Sequence, residues 1–169
     1  MSDAILNRVT DSVLTTLDLE ELGGKNEWSV FDLKDFLFME LILKEKDFRE
    51  QLKGHDWKQY NNKMVAVYCS VDAIIPMWAF LLIAVYLQPE SKGVYSGTLD
   101  HARQQHLLKC IYLLDTSLYT DKRIVVKGCG DEPVGEAAYL GIAVHLRPVV
   151  KSIMYGEPCS TVPIYKKRP

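Results

Sequence analysis

The feature that most constrains this chain is an echo of itself: residues 65–97 return as residues 125–156. At a shift of 59 positions, Ala79-Phe-Leu-Leu-Ile-Ala-Val-Tyr-Leu-Gln-Pro falls on Ala138-Tyr-Leu-Gly-Ile-Ala-Val-His-Leu-Arg-Pro. The match continues with Lys92 on Lys151, Val94 on Ile153 and Gly97 on Gly156. Nine of the 19 positions from Ala79 to Gly97 are identical, more than chance supplies. Upstream, a slip of one residue sets Cys69 against Cys129. Each copy reads as an apolar run, a cysteine, a short polar loop with a proline, a helix and a second apolar run. One strand–loop–helix–strand unit is used twice.

Unbroken apolar runs suit parallel strands covered on both faces. The runs 64–68, 93–96, 123–127 and 152–155 are read as four such strands. Helices over 77–87 and 134–146 stop before Pro89 and Pro148, because the residue ahead of a proline is pushed out of the helical region. A third helix over 101–114, capped by Asp100, carries its apolar residues near a 3.6-residue period. Strands alternating with helices predict an α/β fold, a mostly parallel sheet with flanking helices and right-handed crossovers.

Residues 1–62 have a different texture and are read as a small N-terminal α+β cap packed on the same domain, with 63–169 as the duplicated core. Within the cap, 13–19 is β-like and Gly23-Gly24 turns the chain. Residues 28–33 form a second short strand, or Asp32 or Asp35 caps a helix over 36–43. Residues 44–53 form an amphipathic helix with Phe48 and Leu52 on one face. A chain of 169 residues fits one domain with a sizeable core.

Charge and hydropathy narrow the functional classes. The net charge of −2 has both signs interspersed, and no basic stripe invites nucleic acid. The apolar stretch 73–87 is shorter than the roughly 20 residues a membrane span needs and contains Pro76, so it is read as a buried helix. The opening residues lack the pattern of a signal peptide. A cytoplasmic location follows as the expectation, and there the four cysteines stay reduced, as free thiols or ligands.

Three of those cysteines carry the functional argument. Cys69, Cys129 and Cys159 each follow a strand within a few residues, and ligands of parallel α/β sheets bind beyond the carboxyl ends of strands. At the 59-residue shift Asp100 takes the place of Cys159, pairing Cys69 with Asp100 and Cys129 with Cys159. Three thiolates and one carboxylate suit zinc or an iron–sulfur cluster, with Asp100 or Asp72 completing the shell and Asp131 and Glu157 as rivals. Alternatively, Cys129, set between Gly128 and Gly130 ahead of a helix, is a catalytic nucleophile with a lowered thiol pKa. A third reading is a non-catalytic adaptor whose cysteines only pack, since free cysteine is often buried. Cys110, mid-helix on an apolar face, belongs to the core.

The phrases Leu41-Ile-Leu-Lys-Glu-Lys-Asp-Phe-Arg, His55-Asp-Trp, Lys127-Gly-Cys and Lys151-Ser-Ile-Met-Tyr-Gly-Glu-Pro-Cys-Ser-Thr-Val-Pro resemble a bacterial family, domain-of-unknown-function family 2480. The resemblance covers nearly the whole chain and brings no assigned activity. The resemblance implies genes lying beside sulfur-mobilisation genes, and with them a metal- or cluster-related role and iron–sulfur assembly proteins as partners. The residues leave the oligomeric state open.

Overall fold

Strand pairing in the computed structural model, which describes residues 14–128, 134–157 and 160–168, deals the strands into two sheets. The elements run β1 (Leu14–Asp18), α1 (Leu19–Gly23), β2 (Trp28–Asp32), a 3-10 turn (Leu33–Phe36), α2 (Glu45–Gly54), a 3-10 turn (Trp57–Tyr60), β3 (Met64–Tyr68), α3 (Met77–Leu87), β4 (Gly93–Ser96) and α4 (Leu99–Leu113). A 3-10 turn (Thr116–Tyr119), β5 (Arg123–Lys127), α5 (Glu136–Leu146), β6 (Ser152–Glu157) and β7 (Ser160–Lys166) complete the order. One sheet has the order β1-β5-β6-β7, the other β2-β3-β4. Every pairing is parallel except β6 with β7. The fold is therefore mixed α/β, mostly parallel, with helices packed beside the strands, as the apolar runs imply.

The chain divides into two compact units, Met1–Gly24 with Leu107–Pro169, and Lys25–His106. The boundary expected at 62/63 lies inside the second of these, just ahead of β3. The division itself falls within α4.

In the unit 25–106, β3 is the central strand and Met64, Val65, Ala66 and Val67 are all buried, which is why its run shows no polar alternation. Phe48 and Leu52, one turn apart on α2, are fully buried with Phe31, Leu33, Ile83 and Leu87. Burying each such side chain contributes about 1.5–3 kcal/mol. No helix occupies 36–43: a 3-10 turn ends at Phe36, and Phe38 bridges Ile42 across Met39 and Glu40, both at positive φ. Asp32 does cap, as one reading of the sequence had it, but it caps the 3-10 turn.

In the other unit, β5 is flanked by β1 and β6, and Ile124, Val125 and Val126 are buried. Leu107 and Ile111 of α4 and Ala138, Ile142 and Leu146 of α5 close this core. β7 was not read from the sequence: its Val162 and Ile164 are exposed, and Pro163 sits within it, which is tolerated because the strand is an edge.

The element starts keep a constant interval. β3 and β5, α3 and α5, and β4 and β6 each begin 59 residues apart. The left-handed positions Asn62 and Asp121, and Gly97 and Gly156, keep the same interval. Because β3 and β5 obey it, the position of Cys69 corresponds to Gly128, and the one-residue slip that set Cys69 against Cys129 is absent from the strands. An apolar strand carries too little sequence information to fix its alignment. The regularity does not by itself establish an internal duplication, which stays a proposal.

Candidate functional site

The carboxyl ends of the parallel strands carry paired polar groups in both units. β1 ends in Asp18 and β2 in Asp32, each inside the pattern apolar–Asp–Leu. Each aspartate turns back to accept a backbone N–H two residues on, Asp18 from Glu20 at 3.0 Å and Asp32 from Lys34 at 2.9 Å. This Asx geometry starts the turn that follows the strand.

In the four-stranded sheet, Asp18 pairs across to Lys127 at the end of β5, with Nζ 2.9 Å from Oδ2. The hydrogen bond from Lys127 holds the Asp18 carboxyl below its ordinary value, burial opposes, and the Glu20 and Glu21 N–H groups add to the lowering. The same bond raises Lys127. Gly128 follows, and its carbonyl accepts the Tyr139 hydroxyl of α5 at 3.0 Å. Tyr139 in turn meets Tyr155 of β6 edge-on at 5.7 Å. A Cβ at Gly128 would lie 2.6 Å from the Tyr139 oxygen, so a larger residue there would displace the tyrosine hydroxyl.

Parallel register brings the next strand into the same place. Val126 pairs with Tyr155, so Gly128 and Glu157 leave β5 and β6 at the same end. Cys129 follows Gly128 directly, and Cys159 lies in the two-residue connection between β6 and β7. Cys129, Cys159 and the rival Asp131 lie outside the described residues.

In the three-stranded sheet, Cys69 follows β3 directly and is half-buried against the core. The N–H of its neighbour Ser70 donates to Asp32 Oδ1 at 3.0 Å, tying the cysteine loop to the end of β2. Burial pushes the Asp32 carboxyl up, but hydrogen bonds from Ser70 and Lys34 outweigh it and leave a net lowering. Asp72 is exposed in the loop that follows. Asp100 is exposed too, inside the first turn of α4 and not at its cap; the Thr98 hydroxyl accepts from His101 N–H there at 3.5 Å. Cys69, Asp72 and Asp100 thus share one unit, and the cysteines at 129 and 159 belong to the other. Among the described residues, no group of three His, Cys, Asp or Glu side chains is placed to hold a metal. Cys110 is half-buried in α4, and burial raises its thiol, with Lys109 opposing.

Sequence reasoning missed Asp18, Tyr139 and the pairing of Lys127. The signal available was the repeated ending of two short strands in an aspartate followed by leucine.

A family model described as "Protein of unknown function (DUF2480)" matches residues 3–167. No curated protein and no solved structure matches. Among the described residues, no helix is long and apolar enough to cross a membrane.

Proposed function

For a chain that belongs to the DUF2480 family, whose description names no activity, we propose thiolate metal binding at the carboxyl end of the four-stranded sheet, in zinc or iron–sulfur handling. The observation that carries this reading is the register of β5 with β6. It sends Gly128 and Glu157 out of neighbouring strands at the same end, one and two residues ahead of Cys129 and Cys159. Two thiolates would make half of a tetrahedral zinc shell or half the ligation of a cluster. Glu157 and Asp131 supply local carboxylates.

The groups around this strand end suit such a site. The Lys127–Asp18 pair keeps both side chains charged and fixed, and Tyr139 anchors the carbonyl immediately before Cys129. Iron–sulfur assembly proteins are the partners this reading implies, with the cluster as cargo.

The test is elemental analysis and a visible spectrum on protein purified anaerobically without chelator. About one zinc, or iron with acid-labile sulfide, per chain is expected. Cys129→Ser and Cys159→Ser should each release it. Full metal retention in both variants, or no metal at all in the parent, sinks the proposal.

A further inference from the structure

The unit 25–106 contains a pocket of about 460 Å³. It is lined by Asp32, Asp35, Phe36, His55, Gln59 and Tyr60, among others, drawn from β2, the turn after it and the segment following α2. Its size lies within the range of about 300–1,000 Å³ common for small-ligand sites.

The walls are built on a stiff aromatic base. Phe31 and Phe36 stack at 4.8 Å with planes 11° apart. His55 sets its edge against both, at 5.5 Å in each case. Trp57 stacks on Phe31 from another side at 5.6 Å. Stacked rings lose little freedom when a ligand arrives, so the pocket is prepared before binding.

The polar groups are fixed as well. His55 Nε2 lies 3.1 Å from the Tyr60 hydroxyl and 3.1 Å from the Gln59 amide nitrogen, which also donates to the Asp56 carbonyl at 2.7 Å. Asp32 is held through Oδ1 by the N–H groups of Lys34 and Ser70. Asp35 is exposed at the rim.

The charge balance selects the ligand. Two carboxylates line the pocket, and no lysine or arginine does. Lys34, between them in sequence, pairs with Glu40 at 3.4 Å. Burial lowers His55, with Asp56 opposing, so the imidazole is neutral near pH 7 and does not offset the carboxylates. An anion is disfavoured here. A cation with a flat face gains twice, from the carboxylate and from the aromatic wall.

We propose that this pocket binds a planar organic cation, a guanidinium or amidinium group, ion-paired to Asp35 and packed against the Phe36 ring. A round ammonium meets the carboxylate but lacks the planar face, so guanidinium is preferred over alkylammonium. The group comes either from a free small molecule or from an arginine side chain of a peptide.

The experiment is a titration of the full chain, followed by amide chemical shifts, with agmatine, with benzamidine and with a capped Gly-Arg-Gly peptide. Neutral benzamide is the control for shape without charge. Saturable binding is expected, with shifts confined to the pocket-lining residues. It should weaken at least about tenfold in Asp35→Asn, which removes charge at an exposed side chain, and stay unchanged in Asp47→Asn on the exposed face of α2. Tighter binding of agmatine than of the peptide identifies a small-molecule site, and the reverse identifies a peptide site. Absence of saturable binding by all three cations, benzamide binding as well as benzamidine, or full binding by Asp35→Asn overturns the proposal.

Discussion

The Lys127 ammonium lies 2.9 Å from Asp18 Oδ2, joining the ends of two neighbouring parallel strands that are more than a hundred residues apart in the chain. Asp18 and Lys127 thus mark the carboxyl end of these strands, directly ahead of Gly128. The pair also sets a pH dependence. The Asp18 carboxyl titrates lower in the folded chain than in the unfolded one. Its contribution is therefore complete above the unfolded value near 3.8 and is lost as pH falls through the lower folded value. Asp18→Asn, which keeps a capping oxygen, should be less stable than the parent at pH 7, and the difference should shrink in acid. Asp18→Ala should lose about 1 kcal/mol more, the worth of the cap at Glu20. Urea unfolding at pH 7 and pH 3 checks both; a difference that grows in acid contradicts the pairing.

Tyr139 and Gly128 should behave as one unit. The hydroxyl donates to the Gly128 carbonyl at 3.0 Å, and a Cβ on Gly128 would press on that oxygen at 2.6 Å. Gly128→Ala is expected to destabilise the parent by more than it destabilises Tyr139→Phe. The interaction energy should be about 0.5–1.5 kcal/mol in a double-mutant cycle. Additive effects within experimental error would separate the two residues.

Glycines at two places should respond with opposite sign. Gly156 has φ 118°, and a Cβ there would lie 2.5 Å from the Ser160 carbonyl oxygen across the β6–β7 hairpin. Gly156→Ala should cost about 1–3 kcal/mol. Gly54, the last residue of α2, has no atom within 4 Å of the added Cβ. Gly54→Ala should be neutral or stabilise by up to about 1 kcal/mol. Thermal melts of the two variants decide the matter.

The aromatic base of the pocket should show itself in alkali. Burial, with Asp35 and Asp56 adding to it, pushes the Tyr60 phenol up to about 12. Folding therefore favours its neutral form, and that stabilisation is complete below the unfolded value of 10.0 and is lost as pH rises toward 12. Absorbance titration of the parent against Tyr60→Phe should remove a late-titrating phenol. Removal of one that titrates near pH 10 would place Tyr60 in water.

All three tryptophans, Trp28, Trp57 and Trp78, lie in the unit 25–106, so their fluorescence reports that unit alone. Phe48 is fully buried and meets Phe36 and Trp78 edge-on, each at 5.9 Å. Phe48→Ala should lower the stability seen by tryptophan emission by about 3–5 kcal/mol. Leu81→Ala, on the exposed face of α3, should change it by less than about 0.5 kcal/mol.

The sequence by itself determined the central strands and the long helices. Unbroken apolar runs marked β3 and β5 because both are central strands, and Pro89 and Pro148 marked the ends of α3 and α5 to within two residues. Periodicity and proline act locally, so a linear reading detects them. The same local logic placed Phe48 and Leu52 on one face of α2. It failed at β7, whose exposed apolar residues and internal proline carry no burial pattern, and at 36–43, where two left-handed residues break a run that looks helical.

Only the tertiary structure decided how the strands are partnered. Parallel strands are joined through long crossovers, and backbone hydrogen bonds do not record which side chains they carry, so strand order is invisible in the sequence. That order puts Cys69 on one sheet and sends the chain toward Cys129 and Cys159 from neighbouring strands of the other. It also brings Asp18 to Lys127, and Asp32 to Ser70. The pocket around His55 was equally hidden. Its walls come from two segments separated by the length of α2 and the loop ahead of it, and only the packing of α2 and its following turn against β2 brings a carboxylate, an imidazole and a phenol to one surface.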